Sequence, residues 1–249
     1  MRNRSGNALF LVLIAIGLFA ALSFAVSSSG GGGASLDREQ LQLKAAEIRD
    51  YASQMANTVQ QMVTTGGCLD TQISFAQDSD GDGEWTDADD DLNNPNAPAD
   101  GRCHVFHPNG GAMQNFDLTG LIDTSQSAGR FYGNIYISSD LCIDEIGSGQ
   151  VDCQNENARA VDLILFFPYL HENLCHALNQ GKADAIPNEY NEFYYAIGAY
   201  TGSYVMRSRL ATNPTSNDGM SSLCLEGGAN GSAIPPPGTY HYYQVLLAR

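Results

Sequence analysis

Basic side chains are scarce: 12 Lys and Arg stand against 28 Asp and Glu in 249 residues, a formal net charge of −16. A nucleic-acid binder needs a basic footprint over the phosphates, so that class of partner is excluded. The same deficit argues against holding an anionic membrane through a polybasic patch. No C-x-x-C pair occurs among the six cysteines, so the usual zinc and thioredoxin-type patterns have no support. G-x-S-x-G, P-loop and dinucleotide fingerprints are missing too, and no internal repeat is found. With no catalytic constellation on view, a non-enzymatic role is expected. Tryptophan occurs once, but 12 Tyr and 10 Phe supply enough aromatic volume for a packed core. The length suits one domain of ordinary size plus attachments.

What is present begins with the first 26 residues. Residues 1–6 (MRNRSG) are a short polar leader with two arginines. Residues 7–26 follow as a hydrophobic transmembrane or assembly helix, and from Ala8 to Val26 only Gly17 and Ser23 fall outside the strictly apolar set. Nineteen helical residues cover about 28 Å, close to the roughly 30 Å hydrocarbon core. Positive charge before the segment and little after it place the N-terminus in the cytoplasm and the bulk of the chain outside. The segment has three possible fates. It is a secretory signal cut after Ala25, at Ser23-Phe24-Ala25, or an uncut anchor, or it is cut after Gly6.

The last fate rests on a resemblance. A basic leader ending in Gly6, then an unbroken apolar helix, resembles the class III signal of type IV prepilins and pseudopilins. The resemblance implies cleavage by prepilin peptidase between Gly6 and Asn7. It also implies residence in the inner membrane with the head in the periplasm, then packing of residues 7–26 among the same helices of other pilin-like subunits in a filament. That family usually carries a glutamate as its fifth mature residue, where this chain has Leu11. The difference points to a minor subunit, at a filament tip or in low copy.

Six cysteines beside an export signal predict three disulfides formed in an oxidising compartment. Sequence leaves the pairing open among Cys68, Cys103, Cys142, Cys153, Cys175 and Cys224. Nearness along the chain favours Cys68 with Cys103, Cys142 with Cys153, and Cys175 with Cys224.

Residues 27–35 (SSSGGGGAS) read as a Gly/Ser linker to an extracytoplasmic head at 36–249. A helix is predicted from Ser35, as N-cap, to Thr64, with Asp37 and Glu39 in its first turn. Leu41, Ala45, Ile48, Ala52, Met55, Val59 and Met62 form one apolar stripe, and Gly66-Gly67 ends the helix. Strands are expected at 129–138, 160–167, 192–206 and 239–248, and a helix at 168–180 with Pro168 in its first turn. The order predicts an α+β fold: an N-terminal transmembrane helix, then an amphipathic helix packed on a mainly antiparallel sheet, which is also the form of a pilin head.

The sharpest local signal is DSDGDGEWTDAD, residues 78–89. Asp78, Asp80 and Asp82 stand at first, third and fifth places and Gly83 at the sixth. Glu84 offers its carbonyl at the seventh, Thr86 acts at the ninth and Asp89 closes at the twelfth. This resembles the calcium loops of EF-hand and dockerin type, where a hard cation gathers six to eight oxygens. Calcium is therefore the expected cofactor, with a structural role between Cys68 and Cys103. Asp89 replaces the bidentate glutamate of EF-hands, and flanking helices are not expected. Without a cation, eight acids between Asp78 and Asp91 would repel one another.

Weaker candidates are set aside. His171 and His176 lie five apart, where a zinc-protease helix needs four. Cys175 and His176 are adjacent, and neighbours on a helix point apart. His104 and His107 are a remote metal pair. Tyr194, Tyr195, Tyr240, Tyr242 and Tyr243 read as sheet packing rather than a sugar platform. The expected function is a minor pilin or pseudopilin of a type IV filament or type II secretion-like system. The alternatives are a membrane-tethered extracellular ligand-binding domain and a secreted protein with a cleaved signal.

Overall fold

The structure is a computed structural model. It describes residues 32–77, 92–129, 131–147, 153, 161–183, 185–189, 199–205, 208–210, 212–213, 218–228 and 236–249. The chain divides into two compact units, residues 1–43 and 44–249. Among the described residues no helix is long and apolar enough to cross a membrane. Residues 7–26 lie outside them.

The first element is α1, Gly32–Thr64. It starts three residues before the expected Ser35, so Ser35 lies inside the helix and the first turn carries no acid. The predicted stripe is buried from Ala45 onward: Ala45, Ile48, Ala52, Met55 and Val59 fully and Met62 nearly so, while Leu41 is half-buried. Large side chains in such a row each contribute about 1.5–3 kcal/mol by leaving water. The helix ends at Gly67, φ 70°, where the Gly66 N–H donates to the Gln61 carbonyl at 2.9 Å and the Cys68 N–H to the Met62 carbonyl at 3.1 Å.

A mixed sheet follows, built on β1 (Tyr136–Cys142), β2 (Asp162–Leu170), β6 (Ser222–Glu226) and β7 (Tyr240–Leu247). A second helix, α2 (Glu172–Asn179), lies between β2 and the short strands β3 (Asn188–Glu189), β4 (Ser208–Arg209) and β5 (Thr212–Asn213). The order across the sheet is β4-β1-β2-β7-β6-β3-β5, and each neighbouring pair among the four long strands is antiparallel. Two helices on an antiparallel sheet make the head α+β, as the order of elements predicts.

Every residue of β1 and β2 is buried, so both faces of the sheet are covered. On one face Tyr136, Ile164, Phe166, Leu223, Tyr243 and Val245 form a core sealed by Phe131, Ile146 and Met220. On the other, Phe167 meets Tyr51 of α1 edge-on at 6.2 Å and Tyr242 at 6.0 Å. Arg49 of α1 donates to the Ala177 carbonyl of α2 at 3.4 Å. Tyr242 and Tyr243 are core residues, in line with the packing reading of that tyrosine cluster.

Several boundaries differ from expectation. The first strand is 136–142, not 129–138, because Ser138, Ser139 and Asp140 look turn-like yet are buried in the ladder. Pro168 opens no helix. It sits in β2 where the register with β7 slips between Phe167 and Leu170, a bulge at which a missing N–H is tolerated. Helix α2 accordingly begins at Glu172. Residues 199–205 form no strand, while residues 192–198 and 206 of that prediction lie outside the described set. Strand β6 was not foreseen.

Three disulfides close the head: Cys68–Cys103, Cys142–Cys153 and Cys175–Cys224. These are the pairs that nearness along the chain favours.

Candidate functional site

The acidic loop is carried by a stem whose construction is visible on both sides. Ser74 pairs with His104 in a parallel bridge. The Ser74 N–H donates to the Cys103 carbonyl at 2.9 Å and the Val105 N–H to the Ser74 carbonyl at 2.9 Å. The Cys68–Cys103 disulfide lies just below this bridge. The returning arm is held by Asn94, whose Nδ2 donates to the Thr71 carbonyl at 2.8 Å and the Ile73 carbonyl at 2.7 Å. Asn94 Oδ1 accepts from the Asn96 N–H at 2.9 Å, an Asx turn that redirects the chain. Both arms of the loop therefore leave from fixed backbone. Gly202, at φ 87°, presses on this knot, and a Cβ there would collide with Asn94 Oδ1 and the Thr71 carbonyl.

The loop residues themselves, Asp78, Asp80, Asp82, Glu84, Thr86 and Asp89, lie outside the described residues, as do Gly6 and Asn7. Among the described residues no group of three or more His, Cys, Asp or Glu is arranged to hold a metal. Asn94 and Ser74, which build the stem, were not singled out from sequence. The signal was present in Asn94-Pro95, a dipeptide that initiates turns.

The remaining candidates resolve into structural roles. His104 is buried, its ring 6.1 Å from that of His107 in an edge-on arrangement, and burial lowers its pKa. His171 caps α2 and His176 lies in its last turn, 3.9 Å from Glu172 on the surface. Cys175 is bound to Cys224 and has no thiol to offer. One hydroxyl–imidazole pair does occur, between Thr239 Oγ1 and His241 Nε2 at 2.7 Å. That hydroxyl donates to the Pro236 carbonyl, and His241 Nδ1 accepts from the Tyr169 N–H, so the imidazole is a neutral linker. Complete burial pushes its pKa down to about 3.

A second knot gathers around Asp162. This carboxylate is fully buried and accepts from the backbone N–H groups of Ile143 and Arg249, each at 3.2 Å. Burial raises its pKa to about 7 against those two donors. Arg249 also reaches Asp70 at 3.1 Å and lies over the Tyr204 ring at 3.8 Å, tying the sheet to the base of the loop stem. An acid inside an otherwise apolar strand (VDLILFF) was the sequence signal for this site.

Neither a family model, nor a curated protein, nor a solved structure matches the chain.

Proposed function

We propose that the chain is a non-enzymatic structural subunit, of minor pilin or pseudopilin type, in a type IV filament or type II secretion-like system. The observation that supports this most is α1. Its apolar stripe is buried along the head, and its N-terminal end begins at Gly32, inside the glycine run. Only Ser27 to Gly31 then separate this helix from the apolar residues 7–26, an arrangement suited to a spine that carries a head. In this reading prepilin peptidase cuts between Gly6 and Asn7. The apolar helix holds the subunit in the inner membrane until it packs among its neighbours. Leu11, having no carboxylate to recruit the next subunit, suits a tip or low-copy position. Calcium bound by Asp78, Asp80, Asp82, Glu84, Thr86 and Asp89 orders the loop above the Ser74–Asn94 stem.

The test is the intact mass and N-terminal sequence of the mature protein from its native host. A chain starting at Asn7, with one added methyl group, supports the proposal. A start near Val26 makes it a secreted domain and a start at Met1 a tethered one, and either result overturns it.

A further inference from the structure

A groove of about 450 Å³ runs between the solvent side of α1 and residues 111–115. Its helical wall is Gln54, Asn57, Thr58 and Gln61, and its far wall carries Met113, Gln114 and Asn115, with Tyr51 between the two walls. We propose that this groove binds a neutral saccharide.

In a chain of net charge −16, no acidic or basic side chain lines the groove among the described residues. An anionic ligand would find no cation there, and a cationic one no carboxylate. An apolar ligand would strip water from several carboxamides without replacing their hydrogen bonds. A peptide draws affinity from apolar anchors; the Tyr51 ring is already packed against Phe116 and Phe167, and Ala112 and Met113 offer little of that kind. Carboxamides present a donor and an acceptor on one planar group, which complements the adjacent hydroxyls of a sugar ring. The volume lies within the range of small-molecule sites.

The groove is also built rather than incidental. Gly111 lets the far wall approach the helix, since a Cβ there would collide with Thr58 Cγ2 and the Val105 carbonyl. Ala112 is held at φ 50°, a conformation that non-glycine residues adopt at a cost and keep only where the surroundings impose it. The N–H groups of Ala112 and Met113 donate to the His107 and Val105 carbonyls, each at 3.1 Å. The Tyr51 hydroxyl donates to the Gln114 carbonyl at 3.1 Å. A phenol is un-ionised across the physiological range, and burial raises the pKa of this one further.

The test is titration of the full chain, followed by saturation-transfer NMR, with maltohexaose, cellohexaose, chitohexaose and mannohexaose. Hexagalacturonate and a six-residue Gly-Ser peptide serve as the charged and peptidic probes. At least one neutral hexasaccharide is expected to bind. Asn57→Ala and Gln61→Ala, both exposed positions, are each expected to weaken that complex about 3- to 10-fold with an unchanged melting temperature. The proposal fails if no neutral sugar binds, if hexagalacturonate or the peptide binds more tightly, or if both variants bind like the parent. None of these results depends on how the N-terminus is processed, so this inference and the pilin reading stand or fall separately.

Discussion

Asn179 and Cys224 bond each other twice: Asn179 Nδ2 donates to the Cys224 carbonyl at 2.8 Å, and the Cys224 N–H donates to Asn179 Oδ1 at 2.8 Å. The side chain of a helix thereby stands in for a neighbouring strand on the side of β6 away from β7. Asn179→Ala leaves a buried donor and a buried acceptor unpaired, at about 1–3 kcal/mol each. Urea unfolding is expected to show a loss of about 2–6 kcal/mol. Asn179→Asp is expected to lose more, because a carboxylate oxygen would then face the Cys224 carbonyl.

The three disulfides are expected to rank by the chain they enclose. On loop entropy, Cys175–Cys224, separated by 49 residues, stabilises by about 4 kcal/mol, and Cys142–Cys153, separated by 11, by about 3 kcal/mol. Thermal melts of the paired Cys→Ser variants check the order, and a larger loss from the shorter loop would contradict it.

Two buried groups give opposite pH dependences. Asp162 has a folded pKa near 7, above its ordinary 3.8, so its protonated form favours folding and that stability is lost as pH rises from about 4 to 7. His241 has a folded pKa near 3, below its ordinary 6.5, so its contribution is complete above 6.5 and is lost as pH falls towards 3. Between pH 4 and 6.5 the two slopes oppose each other. Asp162→Asn is expected to gain stability relative to the parent as pH rises from 4 to 8. His241→Gln is expected to gain relative to the parent as pH falls from 7 to 4. Unfolding free energies measured at each pH read both differences.

Calcium is expected to raise the melting temperature of the full chain, and a chelator to reverse the effect. For an affinity of about 10⁻⁴–10⁻³ M, typical of extracellular modules, 10 mM calcium stabilises by about 1.4–2.7 kcal/mol. Asp78→Asn with Asp82→Asn is expected to abolish the shift. An unchanged parent melt with no calorimetric heat would remove calcium from the account.

The parts of the fold legible in sequence are those where one periodicity dominates. The stripe from Leu41 to Met62 announced α1, and the run from Ala160 to Phe167 announced β2. The chain was harder to read where a polar residue is buried because tertiary partners satisfy it. Ser139 looks like a turn residue, yet its hydroxyl donates to the Ser203 carbonyl at 2.6 Å, a partner 64 positions away. Strand β6 has five residues, too few for alternation to speak, and Asn179 completes it from a distant helix. The stem of the acidic loop was hidden for the same reason, since Asn94 acts on carbonyls more than twenty residues earlier.

The place of β7 between β2 and β6 governs the order in which this molecule can come into being. While residues 240–247 are still being synthesised, β2 and β6 each lack the strand that joins them. The two halves of the sheet then have no common ladder. Closure must wait for β7, which begins at Tyr240 where β2 ended at Leu170, and contacts of such long range make the search slow. Until β7 is in place, β2 and β6 each present an open edge, a row of unpaired backbone groups that only this strand covers.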